Sequence, residues 1–283
     1  MIAITGASGN LGQLTLAHLV KKTDPNRIVA IVRDPAKLAA YRDGGVQIRI
    51  ADYDDSRSLE AAFEGVESLL QISTSISGAQ ALQQEAQVVQ SARAAGVQKI
   101  TYTSTLTPGP AAVFEAGRTC AATERAIMDS GLDYTFFRNS MYLETIPLFI
   151  GNALQDGQIY YPGGNGKVSF ASRVDMAEAL ANVLTDGGHQ RAVYQITGEE
   201  ALSFADIADL LKSVKGLDAA YHDVPAEAFA AELRKAGLPE GDIGFMASMA
   251  ASIHAGEFSA VDNRLEELLG RKRTRAIDYI HKL

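Results

Sequence analysis

The chain has 283 residues, a formal net charge of −8, one cysteine and no tryptophan. That length buries a sizeable core in one large domain or two modest ones, and the acidic balance argues against broad nucleic-acid binding, which needs a basic patch. A lone thiol excludes an intramolecular disulfide and a cysteine-rich metal cluster. No stretch approaches the run of about eighteen apolar residues that a membrane helix requires, so a cytoplasmic location is the default expectation.

Met1 to Ile4 reads as a short buried strand leading into glycines, which is not the pattern of a signal peptide. Thr5-Gly6-Ala7-Ser8-Gly9-Asn10-Leu11-Gly12 follows, and a helical pattern runs from Leu11 to about Lys22. A strand turning tightly into a helix aims unpaired backbone N–H groups at one spot, where the helix dipole favours a phosphate or pyrophosphate. Gly6 suits the turn, Gly9 the approach of the phosphates, and Gly12 the close packing of helix on strand. Because the glycines follow a strand and open a helix, the context is the one a dinucleotide fingerprint requires.

Ile28 to Val32 is a continuous β-branched run, as expected of a strand buried on both faces. A short helix over 35–42 leads to a third strand over 46–51 and a helix over 56–64, for which Ser56 is the expected N-cap. A fourth strand over 66–72 gives way to a polar stretch, 73–78. A long helix over 79–95 ends at Gly96, a C-cap glycine. A fifth strand spans 99–103, a helix 116–130 and a sixth strand 134–137. Strands alternating with helices predict an α/β Rossmann-type fold with a doubly wound parallel sheet, its ligand crevice at the strand C-termini.

Past about residue 143 the alternation breaks down. Strands are expected over 159–161, 168–171 and 192–196, with a helix over 176–184 begun by Asp175. Helices are expected over 204–212 after Ser203 and over 226–236 after Pro225, with mixed helix around Met246 to His254 and Leu265 to Leu269. The expected organisation is an NAD(P)-binding domain over 1–150, borrowing a strand near 192–197, and a smaller, mostly helical lobe over 151–283 that builds the substrate pocket. Met246-Ala247-Ser248-Met249-Ala250-Ala251 is a candidate homodimer face, with core burial the plainer explanation.

Arg33 ends the second strand, 21 positions after Gly12. An acidic residue there binds the ribose 2′-OH of NAD, whereas arginine accommodates the 2′-phosphate of NADP. Arg33 therefore favours NADP(H), with the adjacent Asp34 as the opposing signal. No tyrosine of this chain has lysine four residues later, which argues against alcohol dehydrogenation and sugar epimerisation by a tyrosine proton relay. The five histidines, His18, His189, His222, His254 and His281, show no metal-ligand spacing, and no metal site is expected.

The glycine turn, Ile31-Val32-Arg33-Asp34, Ala51-Asp52-Tyr53, Phe137-Arg138-Asn139, Thr123-Glu124, and Gly164 to Asp175 together resemble the NmrA-like atypical short-chain dehydrogenase/reductases. Within that group the likeness is to type 2 NAD(P)H quinone oxidoreductases and triphenylmethane reductases. The resemblance implies hydride transfer from NADPH, without flavin, to a quinone-like, electron-poor acceptor. It assigns Gly6, Ala7, Ser8, Gly9, Asn10 and Leu11 with Arg33 to the phosphates, Asp52 to the adenine, and Ser73, Thr74 and Ser75 to the cofactor beyond the fourth strand. Arg138, Asn139, Ser140, Met141, Tyr142 and Arg173 border the nicotinamide end. Relatives often carry histidine where this chain has Cys120. A small buried residue explains that position; a thiol facing the pocket would make Cys120 a catalytic candidate beside Tyr142. The rival classes are a non-catalytic NADP(H) sensor of the NmrA type and a reductase of carbon–carbon double bonds in phenolic substrates.

Overall fold

The computed structural model describes residues 1–76 and 78–283; Ser77, in the polar stretch after the fourth strand, lies outside the described residues. The strands are β1 (Ile2–Ile4), β2 (Ile28–Val32), β3 (Gln47–Ile50), β4 (Ser68–Ile72), β5 (Lys99–Thr105), β6 (Asp133–Asn139), β7 (Gln158–Tyr161), β8 (Ala192–Ile196) and β9 (Ala220–Asp223). Every residue of β2 is buried, as a strand covered on both faces must be. Seven strands pair in the order β3-β2-β1-β4-β5-β6-β8, all parallel. The strand order reverses between β1 and β4, which opens a crevice at their C-terminal ends.

Helices cover both faces of this sheet. On one face, helix Asn10–Leu19 packs on helix Arg173–Thr185, which also meets helix Arg264–Leu269. They share one apolar cluster with Ile4, Val32 and Leu70. On the other face, helices Ser56–Ala62, Gly78–Ala94 and Glu115–Ser130 lie side by side over Val29, Leu69, Tyr102 and Phe136. A further cluster, centred on Phe149, Tyr161, Phe204 and Phe258, joins helices Ile146–Ile150, Phe204–Lys215 and Glu240–His254 to the two-stranded sheet of β7 and β9. Met249 and Ala250 pack into that cluster, so core burial accounts for much of the small-residue run proposed as a dimer face.

Local chemistry corrects several expectations. Asp55, not Ser56, caps its helix by accepting from the backbone N–H groups of Arg57 and Ser58. Ser172, not Asp175, caps helix Arg173–Thr185. Residues 168–171 form isolated bridges to Tyr142 and Leu202 rather than a strand. β9 has no long apolar run to announce it and exists because β7 offers a parallel edge. Among the described residues, no helix is long and apolar enough to cross a membrane.

Asp175 serves a different purpose from the expected one. Its carboxylate is buried and accepts from the Thr274 N–H at 2.6 Å and from Arg271 at 2.8 Å. It thereby ties the C-terminal segment to the helix beneath β1. Asp175→Ala leaves the Thr274 N–H without its acceptor and the half-exposed Arg271 with Glu178 as its remaining carboxylate partner, and is expected to cost about 1–3 kcal/mol. Thermal denaturation measures this directly; an unchanged midpoint would show that the segment is held by packing alone.

Candidate cofactor site

The turn after β1 is shaped by backbone contact. Gly6 has φ +61°, a left-handed conformation that favours glycine, and its carbonyl accepts from the Gly9 N–H at 2.9 Å. A Cβ on Gly12 would stand 2.3 Å from the Gly6 oxygen and 2.8 Å from the Ala7 Cα. The first helical turn therefore lies against the loop without a side chain between them. Gly9 occupies the N-cap position with no side-chain cap, so the first N–H groups of helix Asn10–Leu19 are left to a ligand or to water.

Four loops build one cleft of about 420 Å³ at the C-terminal ends of β1 to β4. Gly6, Ser8, Gly9, Asn10, Leu11, Arg33, Asp52, Ser73, Thr74 and Ser75 line it, so ten of the residues singled out from sequence meet there. Ala7 does not: it is fully buried beneath the turn. Arg33 is exposed at the cleft and is the one basic residue among its described lining. Asp34, the opposing signal, accepts from the Ala36 N–H at 3.0 Å as the cap of the helical turn Pro35–Leu38, so its carboxylate is engaged locally. Asp52 accepts from the Asp54 N–H at 3.0 Å, which shapes the loop after β3.

Sequence reasoning missed the far wall. Tyr53, Asp54, Gln80 and Gln84 also line the cleft, and burial pushes the Tyr53 phenol well above its ordinary pKa. Gln84 donates to Asp54 at 2.9 Å and accepts from the Thr74 hydroxyl at 3.4 Å, linking the loops after β3 and β4. Behind that wall, the Thr74 N–H donates to the buried Glu85 carboxyl at 2.7 Å, while the Ser73 N–H donates to the Thr103 hydroxyl at 2.9 Å. Tyr53 sits in the Ala51-Asp52-Tyr53 segment and was readable as a neighbour of Asp52. Gln84 and Glu85 carry no local signal on an ordinary polar helix.

Arg138, Asn139, Ser140, Met141, Tyr142 and Arg173 form a second group further along the same sheet edge and do not line this cleft. Arg138 makes a two-pronged ion pair with buried Glu124, at 3.0 and 2.6 Å, so its guanidinium is engaged within the protein. Asn139 and Ser140 are buried, Ser140 accepting from the Ser169 hydroxyl at 3.1 Å, and Met141 packs into the Phe149 cluster. The Arg173 guanidinium lies 4.5 Å from the centre of the Tyr142 ring, and its backbone N–H donates to Glu144. Burial raises the Tyr142 pKa against the opposing pull of Arg173, so the phenol is a neutral hydroxyl at physiological pH.

Cys120 packs in the cluster behind β5, where its sulfur accepts from the Tyr102 hydroxyl at 3.5 Å. It does not line the cleft, and burial pushes its thiol up to about 12. A thiolate is therefore not accessible at neutral pH. Among the described residues no cluster of histidine, cysteine and carboxylate side chains is arranged to hold a metal.

A doubly wound parallel sheet with a glycine-lined cleft at its order reversal defines a nucleotide-binding protein of the Rossmann type. The family profile of the NmrA-like family matches residues 1–276, and the chain belongs to that family. It is 36% identical over 283 residues to quinone oxidoreductase 2 of Escherichia coli, covering 100% of this chain and 98% of that protein. Among solved structures it resembles an NADPH-dependent quinone oxidoreductase of Escherichia coli complexed with NADPH, with TM-score 0.94 and 35% identity over 100% of this chain and 99% of the other. The triphenylmethane reductase of Citrobacter sp. complexed with NADP(H) superposes with TM-score 0.92 and 33% identity, at the same coverage of each chain.

The placement of the sole thiol is open to direct test. Cys120 should resist a disulfide exchange reagent in the native protein at mildly alkaline pH and react stoichiometrically once the protein is denatured. Reaction of the native protein at the rate of a free thiol would contradict the burial.

Proposed function

We propose that the protein is an NADPH-dependent reductase that passes hydride to a quinone or a similar conjugated, electron-poor acceptor, without flavin. The observation that carries this reading is the cradle itself: the backbone N–H groups of the first helical turn after Gly9 and, on the same cleft, an arginine that is unpaired among the described residues. Guanidinium matches a phosphate with two parallel hydrogen bonds, and the engagement of Asp34 as a cap removes the carboxylate that would favour a free 2′-hydroxyl. The full-length likeness to quinone and triphenylmethane reductases supports the acceptor class.

Bound in the cleft, NADPH supplies the hydride. The chain's own residues bind and orient: Asn10 and Leu11 offer N–H groups to the pyrophosphate, Arg33 the 2′-phosphate, and the loops carrying Asp52 and Ser73 to Ser75 flank the rest. In our reading the β6-end group, with Tyr142 and Arg173, borders the reacting end, and the mostly helical lobe beyond about residue 150 contributes the acceptor wall. Hydride and one proton convert a quinone to its hydroquinone. The anion formed first takes its proton from water, so orientation and exclusion of water carry most of the catalysis. The cleft is built from one chain, so a homodimer is not required for cofactor binding. A cytoplasmic location, where NADPH is available, belongs to the same reading.

Incubation with NADPH and a panel of small quinones, followed at the nicotinamide absorbance band, tests the reaction. Oxidation by a preparation lacking flavin absorbance is the expected result; tight binding without oxidation of any acceptor would identify a sensor instead. Arg33→Ala should weaken NADPH binding roughly ten- to a hundredfold, the worth of charge-assisted hydrogen bonds, and leave NADH binding nearly unchanged. Equal loss for both cofactors would remove Arg33 from the 2′-phosphate.

A further inference from the structure

Glu85 is a buried acid to which cofactor binding and hydride transfer, as described, give no task. It lies on helix Gly78–Ala94 with 1% exposure, beneath the sheet and behind the cleft wall. The ionisable groups facing it are Tyr53, Tyr102 and Cys120, with Thr123 and Gln71 completing its surroundings. None of these is a cation. One carboxyl oxygen takes the Thr74 N–H at 2.7 Å, and the Tyr102 and Thr123 hydroxyls face the carboxyl group. Burial raises its pKa, and the neutral acid is the form such a site tolerates.

Packing alone does not call for an acid here. Leucine fills a similar volume without desolvating a carboxyl, and such replacements of buried polar groups are often neutral or stabilising. The Thr74 N–H supplies the reason for an acceptor. β4 ends at Ile72, so Thr74 lies past the sheet ladder, and its donor would be left unpaired in a part-buried loop. Thr74 and its neighbours Ser73, Ser75 and Ile76 form the cleft wall.

On the reading that the cleft takes NADPH, we propose that Glu85 is a positioning residue for the cofactor: from behind the sheet it holds the Thr74 N–H, and with it the Ser73–Ile76 wall, in the shape that NADPH meets. Glu85 touches neither cofactor nor acceptor. Its effect belongs to binding and not to the chemical step.

Two substitutions separate this from a merely structural role. In Glu85→Gln the amide oxygen still accepts from the Thr74 N–H, whereas Glu85→Leu keeps the volume and loses the acceptor. E85L is expected to raise the Kd and KM for NADPH about tenfold, the worth of one hydrogen bond. Its kcat at saturating NADPH should stay within about twofold, since no transition-state contact is lost. Hydrogen exchange at the Thr74 amide should quicken in E85L and remain slow in E85Q, which should also bind NADPH like the wild type. If E85L folds poorly, the unbranched E85M serves as the apolar variant. Wild-type affinity in E85L, equal impairment in E85Q, or a fall in kcat at unchanged KM would each overturn the proposal alone. A wild-type protein that binds no NADPH would overturn the cofactor reading and this proposal with it.

Discussion

The contact on which the molecule depends is the one between Gly12 and the Gly6–Ala7 backbone. Any side chain at Gly12 would need space already filled by main-chain atoms, and main chain cannot swing aside as a flexible side chain can. That contact sets the tilt of helix Asn10–Leu19 against β1 and aims its N-terminus at the crevice. Helix Arg173–Thr185 then packs on helix Asn10–Leu19 from beneath. The segment carrying Arg271 and Thr274 is tied to it through Asp175. A large share of the chain beyond the alternating β and α elements thus serves to hold the first helix where the phosphates need it.

Electrostatics follow from this arrangement. The chain is acidic as a whole, and NADPH is an anion, so long-range attraction does not bring the two together. In the proposed reading, binding comes from local donors: the helix N-terminus, where a dipole and backbone N–H groups coincide, and the guanidinium of Arg33. The carboxylates near the cleft are each engaged locally. Asp34 caps the helical turn Pro35–Leu38, Asp52 accepts from the Asp54 N–H, and Asp54 accepts from Gln84.

What sequence made legible was what depends on neighbours in the chain. The glycine turn, the β-branched strand Ile28–Val32 and Arg33 at its end owe their meaning to local geometry, and the parallel sheet follows from their repetition. Contacts between distant segments were hidden. Arg138 reads as a free cation until Glu124, 14 residues earlier on another element, is seen to grip it. Glu85 reads as a helix-surface acid until its helix is laid against β4 and β5. Cys120 left two readings open, and its burial against Tyr102 is a contact between distant segments that supports the small buried residue. The cap assignments at Ser56 and Asp175 failed because several capable side chains stood within one turn, and backbone geometry chose among them.

The two groups of site residues along the sheet edge differ in chemistry, and the difference bears on the acceptor. At the ends of β1 and β2 the N-terminus of helix Asn10–Leu19 and the Arg33 side chain face the cleft, as suits a ligand carrying several phosphates. At the end of β6 several polar groups are engaged within the protein, Arg138 by Glu124, Ser140 by Ser169 and the Arg173 N–H by Glu144, while the buried Asn139 side-chain oxygen has no partner among the described residues. The Tyr142 hydroxyl there and the Cys120 thiol behind β5 are both held neutral by burial. A raised pKa makes each group a weaker proton donor. Reduction of a simple ketone, whose alkoxide needs a proton as it forms, finds little help in such surroundings. A quinone or an extended conjugated cation accepts hydride into a delocalised system that develops no strongly basic oxygen or carbon. The internal engagement of Arg138 and Ser140 and the missing tyrosine–lysine pair therefore point to the same restriction on substrate.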